Sequence, residues 1–219
     1  MKYRLEPIVD LITGEVIGRE LLAGESACPV WSEAEWRDWY VFLEREIPLL
    51  LSDLQGALFV NLAGHQMLDP HISQSVRSLR GHASRIVIEW TEQRFNDDTI
   101  IAVMTKISFL KGLGFRFAID DIDARLGVNG MGRSGAVKAS FCKIDGGYFH
   151  ECKNDSSKLS KLNGLCRHLS SNGARVIVEW IETEEDYQLA LAAGAHFGQG
   201  YLWPHAVSLP AADEQQGEI

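Results

Sequence analysis

One kind of side chain recurs at one kind of place in this 219-residue chain. Glu20, Asn61, Glu89, Asp120, Asp121, Asp145, Glu179 and Gln199 stand at or beside the ends of short apolar, β-rich runs, with Lys143 on the same run as Asp145. A single strand-end acid is ordinary, since it can cap the next helix or sit in water. The set is different, because carboxylates brought together repel unless a cation neutralises them. Carboxylate and amide oxygens without His or Cys suit Mg²⁺ or Mn²⁺, or Ca²⁺, rather than structural zinc. Neighbouring strand residues point to opposite faces unless the strand is ending. At a strand end, Asp120 and Asp121 could therefore reach two metals. Two hard cations beside a lysine that positions water is a layout for phosphodiester hydrolysis.

The elements that must position these residues follow from the apolar pattern. YRLEPIVDL and TGEVIGRELL read as a hairpin turning at Thr13-Gly14. Ser32, with Glu35 three residues on, is a capping box opening a helix that runs toward Leu51. Strands are expected in ALFVNL, RIVIEW, FRFAIDD, SFCKID, ARVIVEW and FGQGY. Helices are expected over Pro70–Leu79, from Asn96 or Asp97 to Gly112, over Ser157–Ser171, and after a Thr183 cap. The stretch GVNGMGRSGA reads as a glycine-rich loop. Strands that are almost wholly apolar and alternate with helices imply a parallel sheet covered on its faces. A count of about eight favours a closed TIM-like (β/α)8 barrel with one antiparallel strand near the N-terminus. A doubly wound sheet is the competing fold, but no GxGxxG follows the first strand. In a barrel the strand C-termini share one mouth, which is where the acids fall.

Composition narrows the function. The net charge of −9 and the absence of a basic run argue against duplex nucleic acid as a partner. An anionic ligand would need metal or local Lys and Arg. Cys28, Cys142, Cys152 and Cys166 show no CxxC spacing and read as buried thiols in a reducing cytoplasm. There is no signal-peptide pattern and no apolar run of membrane-spanning length. Residues 1–210 are expected to form one domain and 211–219 a frayed polar tail.

Several segments, in order, carry a resemblance to the EAL domain family, whose members hydrolyse cyclic di-GMP. EPIVDLITGEVIGRELL resembles the family's opening hairpin, with Glu20-Leu21-Leu22 in place of Glu-Ala-Leu. LFVNLAGHQML, IVIEWTE, FAIDD, FCKID and VIVEWIETEEDYQLALAAGAHFGQGY resemble its VNLS, ELTE, LDDFG, LKID and AEGVET…LGCDYVQGY segments. The resemblance implies metal ligands at Glu20, Asn61, Glu89, Asp120 and Asp121, with Glu179 a further ligand or the base that activates water. It implies that Lys143 positions the water or the phosphate. Leu22, Asp145 and Gln199 would serve the substrate, and Glu92 would support the loop. The implied reaction is hydrolysis to linear pGpG with Mg²⁺ or Mn²⁺, in a homodimer built through the loop and helix after the Asp pair. The chain opens on Met1 without a sensor or GGDEF-type segment, and a stand-alone cytoplasmic signalling enzyme is the expectation.

The departures fall on substrate contacts. Ile122 to Val128 replaces the family's FGTGYSS, losing both glycines. Gly24 stands where the family has an Arg, Glu6 where it has a Gln, Trp180 where it has a Gly, and Pro204-His205-Ala206 in place of its SKP-like segment. The alternative is therefore a weak or inactive domain acting as a cyclic di-GMP receptor or through a regulatory protein partner. A hydrolase for another phosphodiester is a third reading. Trp36 and Trp39 share a helical face that packs on the barrel or meets a partner. His65, His71 and His82 read as surface residues away from the acids, His196 as structural, and Arg125 and Arg133 as replacements for the lost phosphate contact.

Overall fold

The computed structural model describes residues 1–24, 30–91, 97–123 and 129–203. Cys28, Glu92, Asn96, the Asp97 side chain, Arg125, Pro204–Ala206 and the tail from Ala211 lie outside what is described. Eight strands close into a barrel in sequence order: β1 (Tyr3–Asp10), β2 (Val16–Ala23), β3 (Ala57–Asn61), β4 (Ile86–Trp90), β5 (Arg116–Ile122), β6 (Phe141–Ile144), β7 (Arg175–Val178) and β8 (Phe197–Gly198). A two-strand hairpin with a short turn must be antiparallel. Here the turn is tied by Asp10 Oδ1, which accepts from the Ile12 and Thr13 amides at 2.9 and 3.0 Å. β1 thus runs against both β2 and β8, and the other pairs are parallel. Its N-terminal end lies at the mouth, which brings Arg4 and Glu6 beside residues from strand C-termini.

The barrel interior is layered by the two-residue period of strands. Ile8, Phe59, Val87, Ala118, Phe141, Ile177 and Phe197 form an inner apolar plug. Two residues further toward the mouth come Glu6, Asn61, Glu89, Asp120, Lys143, Glu179 and Gln199. The outward strand residues meet the helices in a second, larger core. That shell includes α1 (Glu33–Asp53), α2 (Gly64–Leu68), α3 (Pro70–Ser78), α4 (Asp97–Gly112), α5 (Asn129–Val137), α6 (Gly146–Lys153), α7 (Ser156–Ser171) and α8 (Glu184–Ala192). The Ser32–Glu35 capping box forms, and the structure closes the Thr183 cap into a second box with Asp186.

Three helices depart from the expected pattern. α2 and α6 are too short for a helical period to stand out. α5 occupies most of the glycine-rich stretch read as a loop. Its helix is held by packing, which overrides weak propensity. Val137 and Ser134 are buried, and Ser134 Oγ lies 3.0 Å from Cys142 Sγ on β6. Cys142, Cys152 and Cys166 are buried free thiols.

The last strand is set by close backbone approach. Gly200 has φ +152, and a Cβ there would lie 2.4 Å from Ile181 N and O. The Ile181 amide donates to the Gln199 carbonyl at 3.0 Å, so this crossing fixes the base of Gln199. Gly200→Ala is expected to destabilise the chain by about 2 kcal/mol or more through forced backbone displacement, measured by urea unfolding.

Candidate metal centre

Lys143 is the hub of the mouth. Its side chain is 1% exposed, and Nζ lies 2.7 Å from Glu179 Oε1, 3.0 Å from Glu20 Oε2, 3.0 Å from Glu89 Oε2 and 3.5 Å from Asp120 Oδ1. Second contacts orient the acids. Asn61 Nδ2 donates to Glu20 Oε1 at 2.6 Å, and Gln199 Nε2 donates to Glu20 Oε2 at 2.7 Å and Glu6 Oε2 at 3.2 Å. Tyr40 on α1 donates its hydroxyl to the Asn61 carbonyl at 2.6 Å, tying the helix shell to the strand end.

The electrostatics show a deficit of positive charge. Burial works against the Lys143 ammonium, yet Asp120, Glu179, Glu20 and Glu89 together hold it charged well above the usual lysine range. One ammonium cannot satisfy four carboxylates. Burial, then the charge of Glu20, pushes Glu89 well above the carboxylate range despite Lys143. Burial and the charges of Asp120 and Glu20 lift Glu179 to about 8, against the pull of Lys143. Burial likewise raises Asp120. Glu20 alone is lowered: burial opposes its charge, but Lys143, Gln199 and Asn61 more than offset it.

Asp120 and Asp121 both reach the mouth through a local break. The β5–β6 register shifts between Ile119 and Ile122, and Asp121 has φ +52. Asp tolerates the left-handed region better than most residues. Oxygens of Asp120, Asp121 and Glu179 lie within 4.8 Å of one another. Glu89 Oε1 and Gln199 Oε1 are buried acceptors without a hydrogen-bond partner. Clustered hard oxygens, orphaned acceptors and excess negative charge fit a divalent cation of the Mg²⁺ or Mn²⁺ kind.

The mouth opens into a cavity of about 840 Å³ that holds Glu20, Leu22, Asn61, Asp120, Asp121, Lys143, Glu179 and Gln199 on its walls. Glu89 lies beneath it, fully buried against Lys143. Asp145 is not among the lining residues. Its Oδ1 accepts from the Tyr148 amide at 2.7 Å as the N-cap of α6, because the strand ends one residue earlier.

Two readings of the surroundings change, those of His65 and Arg133. His65, expected away from the acids, lines the cavity, because α2 carries it back over the strand ends. Trp36 and Trp39 pack on the core, one of the two expectations for that face, and they also line the cavity, with Trp31 edge-on to Trp36 at 4.9 Å and tilted against Trp39 at 5.5 Å. Their helical spacing was visible, but not which end of the barrel α1 overlies. Arg133 stacks over Trp90 at 5.1 Å and donates to the Asp120 carbonyl at 3.4 Å instead of lining the cavity. The guanidinium on the described wall is that of Arg4, delivered by the reversed β1 and paired with Glu6 at 3.0 Å. That pairing offsets the charge Glu6 adds. Gly24 has φ +80, so an Arg could not simply be restored there. His71 is exposed, and His196 Nδ1 faces the Val176 amide at 3.0 Å, a structural part.

Comparison with known proteins agrees with this geometry. Residues 42–206 match the family described as the EAL domain. The chain is 28% identical over 131 residues to the cyclic di-GMP phosphodiesterase PdeF of Escherichia coli, covering 60% of this chain and 17% of that protein. It is 25% identical over 213 residues to the oxygen sensor protein DosP of the same organism, covering 96% of this chain and 24% of that one. The chain thus spans a quarter or less of these relatives. The fold matches the Klebsiella pneumoniae BlrP1 calcium/cy-diGMP complex with a TM-score of 0.73 at 21% identity, covering 92% of this chain and 54% of that one.

Lys143→Met is expected to destabilise the metal-free chain by about 3–5 kcal/mol, by leaving buried carboxylates uncompensated. Mn²⁺ should recover part of that loss in thermal melts with and without EDTA. Asp121→Gly should behave oppositely. It removes left-handed strain and like-charge repulsion, so the melting temperature rises while Mn²⁺ affinity by calorimetry falls at least tenfold.

Proposed function

This chain belongs to the EAL domain family, and on that premise we propose that it is a metal-dependent phosphodiesterase hydrolysing cyclic di-GMP to linear pGpG in cytoplasmic second-messenger signalling. The observation that carries the reading is the polar layer itself, with Lys143 embedded among acids and Asp120, Asp121 and Glu179 converging within 4.8 Å. In this reading Glu20, Asn61, Glu89, Asp120, Asp121 and Glu179 hold Mg²⁺ or Mn²⁺. The bound metal would supply an activated water and neutralise charge on the phosphate. Lys143 orients the phosphate or water from below, and Gln199 keeps Glu20 in place. Leu22 forms part of the wall against the ligand, and Arg4 is the guanidinium available to a phosphate oxygen. A homodimer through α5 and the segment before it is part of the same reading, checked by sedimentation.

A second reading is favoured by Trp180, which alters the wall while leaving the acids, and by Gly24 standing where the family has an Arg. Here the domain binds cyclic di-GMP without turnover, as a receptor or a regulator of a protein partner.

Incubation with cyclic di-GMP and Mn²⁺, followed by chromatography, separates the two. The first reading expects linear product that Glu20→Ala reduces at least a hundredfold. Tight calorimetric binding without product selects the receptor, and neither binding nor product rejects both.

A further inference from the structure

Trp180 is a bulky residue in a conformation that suits glycine. Its φ is +57, which crowds any side chain against its own backbone. Such strain persists only where the surroundings enforce it, and it tends to collect at functional sites. Burial does not offset it, because the residue is 57% exposed.

The surroundings are shaped to hold the indole in place. A Cβ added at Gly146 would lie 2.1 Å from Trp180 Cγ and 2.4 Å from Cδ2, so only glycine lets the ring settle on the start of α6. Gly147 continues that seat, with Trp180 Cζ3 at 4.0 Å from where its Cβ would be. His150 Nε2 lies 2.9 Å from the Trp180 carbonyl and anchors the backbone from the same helix. The indole thus rests on a glycine floor while the rest of it faces the mouth cavity.

Trp180 also directly follows Glu179, one of the acids whose oxygens converge within 4.8 Å. A ligand with its phosphate at those oxygens would bring an attached base within reach of the indole. The rim is acidic, with Glu182 also on the wall, so an uncharged aromatic face is tolerated there where another anion is not. Base–aromatic stacking is the interaction that such a fixed, exposed ring offers.

We propose that Trp180 is a stacking platform for one purine base of the dinucleotide, and a specificity-determining residue of the mouth. The proposal rests on the cyclic di-GMP reading, whether the ligand is hydrolysed or only held.

The test is calorimetric titration of the full chain with cyclic di-GMP in Ca²⁺, in conditions where chromatography detects no product. Trp180→Phe should bind within about threefold of wild type, while Trp180→Ala and Trp180→Gly should bind roughly tenfold more weakly. Trp180→Gly relieves the strain, so its melting temperature should not fall, and weaker binding cannot then be laid to misfolding. Ligand-induced quenching of tryptophan fluorescence should shrink in Trp180→Phe although binding persists. Unchanged or tighter binding by the alanine and glycine variants would overturn this inference alone, making Trp180 an obstruction. No binding by wild type would overturn both it and the cyclic di-GMP reading.

Discussion

A single buried ammonium surrounded by carboxylates governs this structure. Lys143 touches or approaches acids from four other strands, β2, β4, β5 and β7, and it is the only described cation in that layer. Ion groups this deep are costly unless they are paired and hydrogen-bonded. The barrel must therefore deliver each acid to the same point. It must also leave the charge unbalanced if a divalent ion is to find a use there. Glu89 and Glu179 are held above the ordinary carboxylate range by this imbalance, while Glu20 is kept ionised by Lys143, Gln199 and Asn61.

The delivery is done by strand periodicity. Each inward residue of the apolar plug is followed, two positions nearer the mouth, by a member of the polar layer: Phe59 by Asn61, Val87 by Glu89, Ala118 by Asp120, Phe141 by Lys143, Ile177 by Glu179 and Phe197 by Gln199. The plug excludes water from below, which strengthens every charge interaction above it. Packing and chemistry are consecutive layers of one core. Where the period would aim a side chain wrongly, the backbone breaks it. Asp121 and Trp180 both take positive φ just as their strands give out, and each turns a side chain into the mouth that a regular strand would send elsewhere.

Much of this was legible beforehand. The apolar runs were short, alternated with helical stretches, and ended in oxygen ligands, so a barrel with an acidic mouth could be read from pattern alone. The hairpin at Thr13-Gly14 implied the one reversed strand. The capping box at Ser32 and the cap at Thr183 marked their helices because the residues that close a first turn lie within three positions of one another. The glycine-rich stretch misled, because the helix of α5 is held by Val137 and Ser134 packing on the barrel, not by its own propensity. Nothing in the sequence marks Arg4 as a wall residue, because its position matters only once β1 is known to begin at the mouth.

The sequence by itself determined the order of the elements and the types of side chain at the strand ends. Those follow from local rules: the two-residue period, capping geometry and the oxygen-only character of the ligands. Tertiary structure alone decided which charges meet. Glu20 and Lys143 lie 123 residues apart, and their contact exists only because the barrel closes. Closure likewise turned Trp36, Trp39 and His65 into cavity walls, drew Arg133 to Trp90, and spent Asp145 on a helix cap. Each of those outcomes depends on the direction in which a side chain points after packing, and no spacing along the chain encodes that direction.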